Sequence, residues 1–293
     1  MNYERPQKEN PHRLTIDQHV YPAASIKRFG RHDGRVELYS FKHKKNILVR
    51  PNNKIFCTKR AWDQGAEVGY QKNIEDSFQE VVRGVINGSV KSLNSDDRRA
   101  VSEFFLLWRF RCAAKLEPFQ DARFNILGTS RELSLDDQEY LEKGNVGFIR
   151  PDCTTPGRWF AGIQIKRNID ISYELLSGRR WGIGRSESEE FLVPDFFDDF
   201  PVIPVTPSIV LAIDYDDRFL CVADVAHLNM SAISKSREFI FAREFKCCSY
   251  AAEWRELSFR NSMLVQRFRS SGVPDRSPIC ASTYFSGVSS PQK

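Results

Sequence analysis

Residues Glu67 to Leu116 carry two long amphipathic patterns in succession, and no other stretch of the chain restricts the fold as strongly. In the first, Ile74, Phe78, Val81, Val82 and Val85 fall on one face of an α-helix, while Lys72, Asp76, Glu80 and Arg83 take the other. In the second, Val101, Phe104, Phe105, Trp108 and Cys112 repeat the spacing. Asn94 or Ser95, followed by Asp96 and Asp97, supplies a capped start matched to the helix dipole. Each helix has one apolar face, so the two are expected to pack as an antiparallel pair.

The flanks read differently. Val36, Leu38 and Tyr39, then Ile47 and Val49, then Ile55 and Cys57 predict three short strands with turns at KHKK and PNN, an antiparallel meander. Beyond the pair, Ser134 and Asp137 form a capping-box start for a short helix that Gly144 ends. Phe160, Ile163, Ile169, Ile171, Leu175 and Leu176 mix two periods and are read as helix. From Arg180 to Val222, short apolar runs cut by Pro, Gly and Asp predict a second, larger sheet, mixed or antiparallel. Val225, Leu228, Ile233, Ile240 and Phe241 predict a closing helix with Asp224 as its cap. The expected class is α+β. One domain is expected over residues 14–270, divided into a meander (14–62), a helical middle (63–178) and the second sheet with its helix (179–270). Residues 1–13 are expected to fray, and the Ser- and Pro-rich residues 271–293 to lack structure.

A hydrophobic content of 41% is enough for a core, which excludes a wholly disordered chain. No apolar run approaches the roughly 20 residues needed to span a bilayer, and MNYERPQKEN lacks the apolar centre of a signal peptide. A cytoplasmic protein with no membrane partner is therefore expected. The 7 cysteines are scattered without CxxC spacing, which predicts free, buried thiols and no structural zinc. Residues 1–60 hold 14 Lys and Arg against 5 Asp and Glu, a balance of +9, so the chain's net +5 leaves −4 for the remainder. A basic end on a mildly acidic body suits an anionic partner such as nucleic acid; a solvated surface accounts for it equally well.

A short set of polar residues stands out against this background. His19, beside Pro22 in the basic segment, is of the type that moves protons near neutral pH, or it only hydrogen-bonds. Glu67 and Glu75 are eight apart and share a face if one helix begins before Glu67; such a pair can hold a divalent cation, divide acid and base work, or line a solvated face. Arg109 and Arg111 follow FFLLW, where an arginine near the buried seam needs an anion, either substrate phosphate or Glu75. Asp195 ends the run FLVP, with Asp198 and Asp199 beyond it, and can be a metal ligand or a turn residue. Asn229 lies inside the closing helix, a poor place for asparagine unless its amide is used. Arg237 and Arg243 either complete an anion-binding side or solubilise it.

Several of these residues lie in motifs through which the chain resembles a bacterial domain of unknown function, family 4238. DQHVYPAASIKRF carries His19, Pro22 and Phe29 on matching positions, and the family's helix glutamate and its arginine after bulky apolar residues fall on Glu75 and Arg111. Trp181, Phe191 to Asp195, PVTP at Pro204 to Pro207, and Asn229 continue the likeness as far as Arg243. There are departures: Gln18 stands where the family commonly has a first histidine, and Pro194 where it has serine. The family brings no settled reaction, so the expected function comes from the polar set. It is a metal-dependent nuclease on DNA or RNA, of the kind found in toxins or phage-defence effectors, with a protein partner or antitoxin expected. Glu67, Glu75 and Asp195 would hold Mg or Mn, His19 would move the proton, Arg111 and Asn229 would complete the site, and Arg109, Arg237 and Arg243 would bind substrate. The alternative is a non-catalytic nucleic-acid-binding or protein-interaction module in which the same residues form a structural network. Oligomeric state is not legible.

Overall fold

A computed structural model of the chain describes residues 3–126, 132–196 and 201–249. The first half runs β1 (Asp17–His19), α1 (Ala23–Lys27), β2 (Val36–Ser40), β3 (Lys45–Val49), β4 (Cys57–Lys59), α2 (Gln64–Val68), α3 (Tyr70–Asn87) and α4 (Ser95–Leu116). The second runs β5 (Ala122–Arg123), α5 (Leu135–Lys143), β6 (Thr154–Thr155), α6 (Gly157–Leu176), β7 (Trp181–Arg185), β8 (Val193–Pro194), β9 (Val202–Thr206), β10 (Ile209–Ile213), β11 (Arg218–Phe219), α7 (Val222–Lys235) and β12 (Phe239–Ala242). This is an α+β fold. Among the described residues, no helix is long and apolar enough to cross a membrane.

Helix α4 is the centre of the molecule. Its Asn94 cap accepts the backbone N–H groups of Asp96 and Asp97, and the Asp97 carboxylate returns the bond to Asn94 N. The expected face of α4 is buried, but so are Leu106, Leu107, Phe110, Arg111 and Ala114 on its other sides. A helix buried all round must be wrapped by other elements. Helix α3 packs antiparallel on one side: Phe78 stacks flat on Phe104 with centroids 3.7 Å apart, and Arg111, near the far end of α4, meets Gln71 and Glu75 in the first turns of α3. On another side Tyr21 lies 4.2 Å from the Trp108 ring and donates its hydroxyl proton to the Pro204 carbonyl. Trp181 of β7 packs on Phe105 and donates its indole N–H to Ser102. One apolar core therefore takes side chains from Val20 through Phe241.

The strands divide differently from the predicted meander. Strands β2 and β3 form the expected hairpin, but β4 pairs with β1, setting His19 opposite Cys57. The hairpin continues into C-terminal strands in the order β3-β2-β12-β8, and a second sheet has the order β11-β7-β10-β9. Phe239–Ala242 was expected at the end of the closing helix and is instead β12, buried along its whole length between β2 and β8. Four consecutive apolar residues suit a strand covered on both faces. Helix α7 accordingly stops at Lys235, and Asp224 lies in its first turn, accepting from Cys221 N, instead of preceding it.

Residues 3–13 make contacts with the body of the fold. Glu4 pairs with Arg158 and, at 2.7 Å, with Arg150, while Gln7 N donates to Glu139. Behind them the buried Glu142 carboxylate accepts from both Arg60 and Arg158 at 2.6 Å. A buried charge is retained only when it is paired in this way. The expected unstructured tail, residues 271–293, lies outside the described residues.

The stack between α3 and α4 gives a direct check of the arrangement. Phe78→Ala should lower the unfolding free energy by about 3–5 kcal/mol, as for other buried rings truncated in a core. Chemical denaturation at an unchanged m value measures this, and a loss under about 1 kcal/mol would mean that Phe78 is not in the core.

Candidate acid–base site

Because α4 is enclosed, Arg111 has no water to meet its charge: its side chain is 2% exposed. Its donors are instead satisfied by neighbouring side chains. Nε donates to Gln71 Oε1 at 2.9 Å, one terminal nitrogen pairs with Glu75, and the other lies 3.9 Å from Glu67 Oε2. The Trp62 ring covers the guanidinium, with its centroid 5.1 Å from Cζ, and donates its indole N–H to Glu67 Oε2 at 2.5 Å. Gln71 donates on to the Tyr70 oxygen, and the Tyr70 hydroxyl donates to the Gly162 carbonyl of α6.

The two carboxylates reach this point from different helices. Asp63 caps α2, Gly69 separates α2 from α3, and Glu67 and Glu75 lie on either side of the break. They are only 19% and 20% exposed. Burial pushes the Glu67 carboxyl above its usual range; Arg111 and the Trp62 N–H oppose this, Glu75 adds to it, and the charge of His19 opposes it.

His19 arrives from the opposite direction. Its neighbour Gln18 is buried and clamps β1 to the Trp62 backbone, donating to Trp62 O at 2.9 Å and accepting from Trp62 N at 3.2 Å. Gln18 is thus a structural clamp. His19 Nε2 is 3.2 Å from the Pro51 carbonyl, which only accepts, so Nε2 carries a proton and Nδ1 is left for exchange.

Glu67, Glu75 and Arg111 are therefore brought together, and the charge of His19 acts on Glu67 from beside them. Cys57 and Lys115, which sequence reasoning missed, extend the same surface. Burial, with help from Asp17 and Glu67, holds the Cys57 thiol up at about 11, so it is not a nucleophile at neutral pH. Lys115 pairs with Glu238 and lies over the Phe239 ring.

Other predicted residues have different work. Asp195 accepts the backbone N–H groups of Arg237 and Glu238, both at 2.8 Å, and so holds the turn before β12. Burial raises its carboxyl, and these two bonds and Lys115 lower it. Arg237 stacks on Phe196, 4.0 Å from its centroid. Asn229 is 1% exposed and joins α7 to its neighbours, accepting from Leu192 N and donating to the carbonyls of Glu190 and Ser249. Arg243 is tied to Glu190. Asn229 and Arg243 thus belong to a separate group around Glu190. Arg109 is two residues before Arg111, nearly opposite it around α4. Asp198 and Asp199 lie outside the described residues.

The expected metal set does not assemble. Among the described residues, no group of three or more His, Cys, Asp or Glu side chains is arranged to hold a metal ion. Glu67 and Glu75 face a cation already, the Arg111 guanidinium, and both Asp195 oxygens are taken by amides.

Fold and site together define an α+β protein with a half-buried histidine–carboxylate cluster built on an internal arginine. Comparison with protein-family models, with curated proteins and with solved structures finds no match.

The cap beneath this cluster has a measurable pH signature. Asp63 is 4% exposed and accepts from Ala66 N, and Gly162 lies so close that a Cβ there would be 1.9 Å from Asp63 Oδ2. Burial raises its carboxyl from 3.8 to about 6, against the bonds from the α2 amides. Between these values the folded protein keeps a proton that the unfolded chain releases, so stability falls as pH rises. Asp63→Asn keeps the cap and removes the titration. It should gain roughly 2–3 kcal/mol over the native chain on going from pH 4 to pH 7. Parallel stability profiles for the two proteins would contradict this assignment.

Proposed function

We propose that the chain is a phosphodiesterase acting on nucleic acid, in which His19 and Glu67 transfer protons and Arg111 holds the carboxylates in place. The observation that carries this reading is the meeting of Glu67, Glu75 and Arg111, from α2, α3 and α4, around one buried guanidinium, with His19 of β1 near enough for its charge to act on Glu67. A carboxyl raised by burial beside an imidazole is the pairing that general acid–base chemistry needs.

The nucleic-acid partner is supported by charge. Lys42, Lys44, Lys45, Arg50 and Lys54 are exposed, and none has an acidic partner among the described residues. They follow β3, the edge strand of its sheet, from the hairpin tip towards Pro51, whose carbonyl holds His19. A polyanion bound along this edge leads to the histidine. Divalent metal has no place in this reading, because the carboxylates expected to bind it are engaged with Arg111 and with backbone amides.

A second reading is favoured by the depth of Arg111: with Nε and one terminal nitrogen bonded internally, the cluster also works as a structural network joining α2, α3 and α4. One assay separates the two. The purified chain should cleave labelled oligonucleotides, and His19→Ala and Glu67→Gln should each lower the rate by at least ~10²-fold at nearly unchanged melting temperature. Full activity in both variants overturns the catalytic assignment. Salt-sensitive binding with no cleavage by the native chain establishes the second reading.

A further inference from the structure

We propose that β3 is a docking strand: an extended segment of an acidic protein partner pairs with its open edge and lengthens the four-stranded sheet by one strand. This interaction does not depend on cleavage of nucleic acid. The two four-stranded sheets end in β3, β8, β9 and β11. Strands β8 and β11 are each 2 residues long, and β8 ends in Pro194. Strand β9 carries Pro204, and residues 202–205 are buried. Short length, proline and cover are the usual means of denying an edge to another chain. Strand β3 has none of them: it is 5 residues long, lacks proline, and is exposed at Lys45, Asn46 and Leu48.

An edge strand turns a row of backbone N–H and C=O groups outward. Among the described residues, Lys45–Val49 makes no backbone bond beyond its pairing with β2. That row holds both donors and acceptors. A phosphodiester offers acceptors only, whereas a peptide strand offers both. The side chains agree with this preference. Ile47 and Val49 lean on the core and Leu48 is 39% exposed, so the centre of the strand is uncharged. A lysine set mid-strand would act as a guard against pairing. Here the cations stand at the two ends instead, Lys42, Lys44 and Lys45 at the hairpin tip and Arg50 and Lys54 beyond Val49.

The arrangement specifies the partner's chemistry: an uncharged, extended centre spanning ~17 Å, with Asp or Glu on both sides of it. In complexes of this kind the backbone bonds supply affinity and the alternate side chains supply choice. Glu37, which stands opposite Leu48 on β2, is engaged by Asn46 Nδ2 at 3.2 Å and by Phe245 N at 2.7 Å. A second copy of this chain fits poorly, because pairing β3 with β3 sets cations against cations. The lysines that would receive the acidic ends are those that would receive a nucleic acid, so the two ligands exclude each other. A partner seated on β3 therefore closes the basic route towards Pro51 and His19.

The test uses the full chain and a labelled peptide with glutamate ends and a valine–threonine centre as long as β3. Fluorescence anisotropy reads its affinity, and amide hydrogen exchange reads its position. Binding should slow exchange across Lys45–Val49. N-methylation of the central amides keeps the peptide's charge and removes its donors, and should weaken binding at least ~10-fold. Reversing charge with Lys44→Glu and Lys45→Glu together should weaken it at least ~10-fold as well, at nearly unchanged melting temperature. Binding that survives N-methylation, or that leaves exchange across β3 unchanged, is charge attraction without strand pairing and overturns the inference. Failure of the peptide to bind at millimolar concentration overturns it too, and a single-stranded oligonucleotide that binds the native chain and not the variant would then assign the edge to nucleic acid. None of these results bears on the cleavage assay, which decides the phosphodiesterase reading separately.

Discussion

An arginine buried towards the C-terminal end of a wrapped helix costs several kcal/mol in lost hydration, and the surroundings of Arg111 are arranged to offset that cost. The guanidinium requires acceptors in its plane and tolerates an aromatic ring on its face. Gln71, Glu75 and Glu67 supply the first and Trp62 the second. Each brings a segment with it: Gln71 and Glu75 fix α3 against α4, while Glu67 and Trp62 fix α2 and the chain before it. The half-buried carboxylates of the candidate site are thus a consequence of packing α4 at the centre. Their altered proton affinity follows from the same burial.

The pairing of β1 with β4 has a comparable effect on the histidine. Gln18 is spent on the Trp62 backbone, so the next side chain, His19, turns the other way, towards Pro51. Trp62 therefore links the two halves of the cluster, its backbone holding β1 and its ring holding Glu67 and Arg111. The basic edge of β3 ends at the same turn. Cation, carboxylates, imidazole and basic edge are connected through short stretches of backbone.

Much of the helical middle was legible because its signals are local. The apolar spacing of Ile74 to Val85, the Asn94 cap and the Ser134–Asp137 box each depend on residues within a few turns of one another. Features that depend on distant partners were not. Nothing in KIFCTKR reveals that Cys57–Lys59 pairs with Asp17–His19 instead of extending the hairpin. Phe239–Ala242 continues a helix-like pattern and becomes a strand because β2 and β8 lie on either side of it. Glu67 and Glu75 do not lie along one helix: Gly69 breaks it between them, and both carboxylates face Arg111. Asn229 drew notice as a polar residue within a helix, but its amide is used by backbone groups. Side-chain type marks a buried polar residue as unusual; only its partners tell a site from a tie.

A charge-mediated link between α4 and α3 lies at the base of the site. A double-mutant cycle on the unfolding free energy, using Arg111→Met, Glu75→Gln and the pair, measures that link directly. A coupling of about 1–3 kcal/mol is predicted, with the double variant more stable than the sum of the single losses implies. Losses that add to within about 0.5 kcal/mol would mean that the two side chains do not support each other, and would contradict the account.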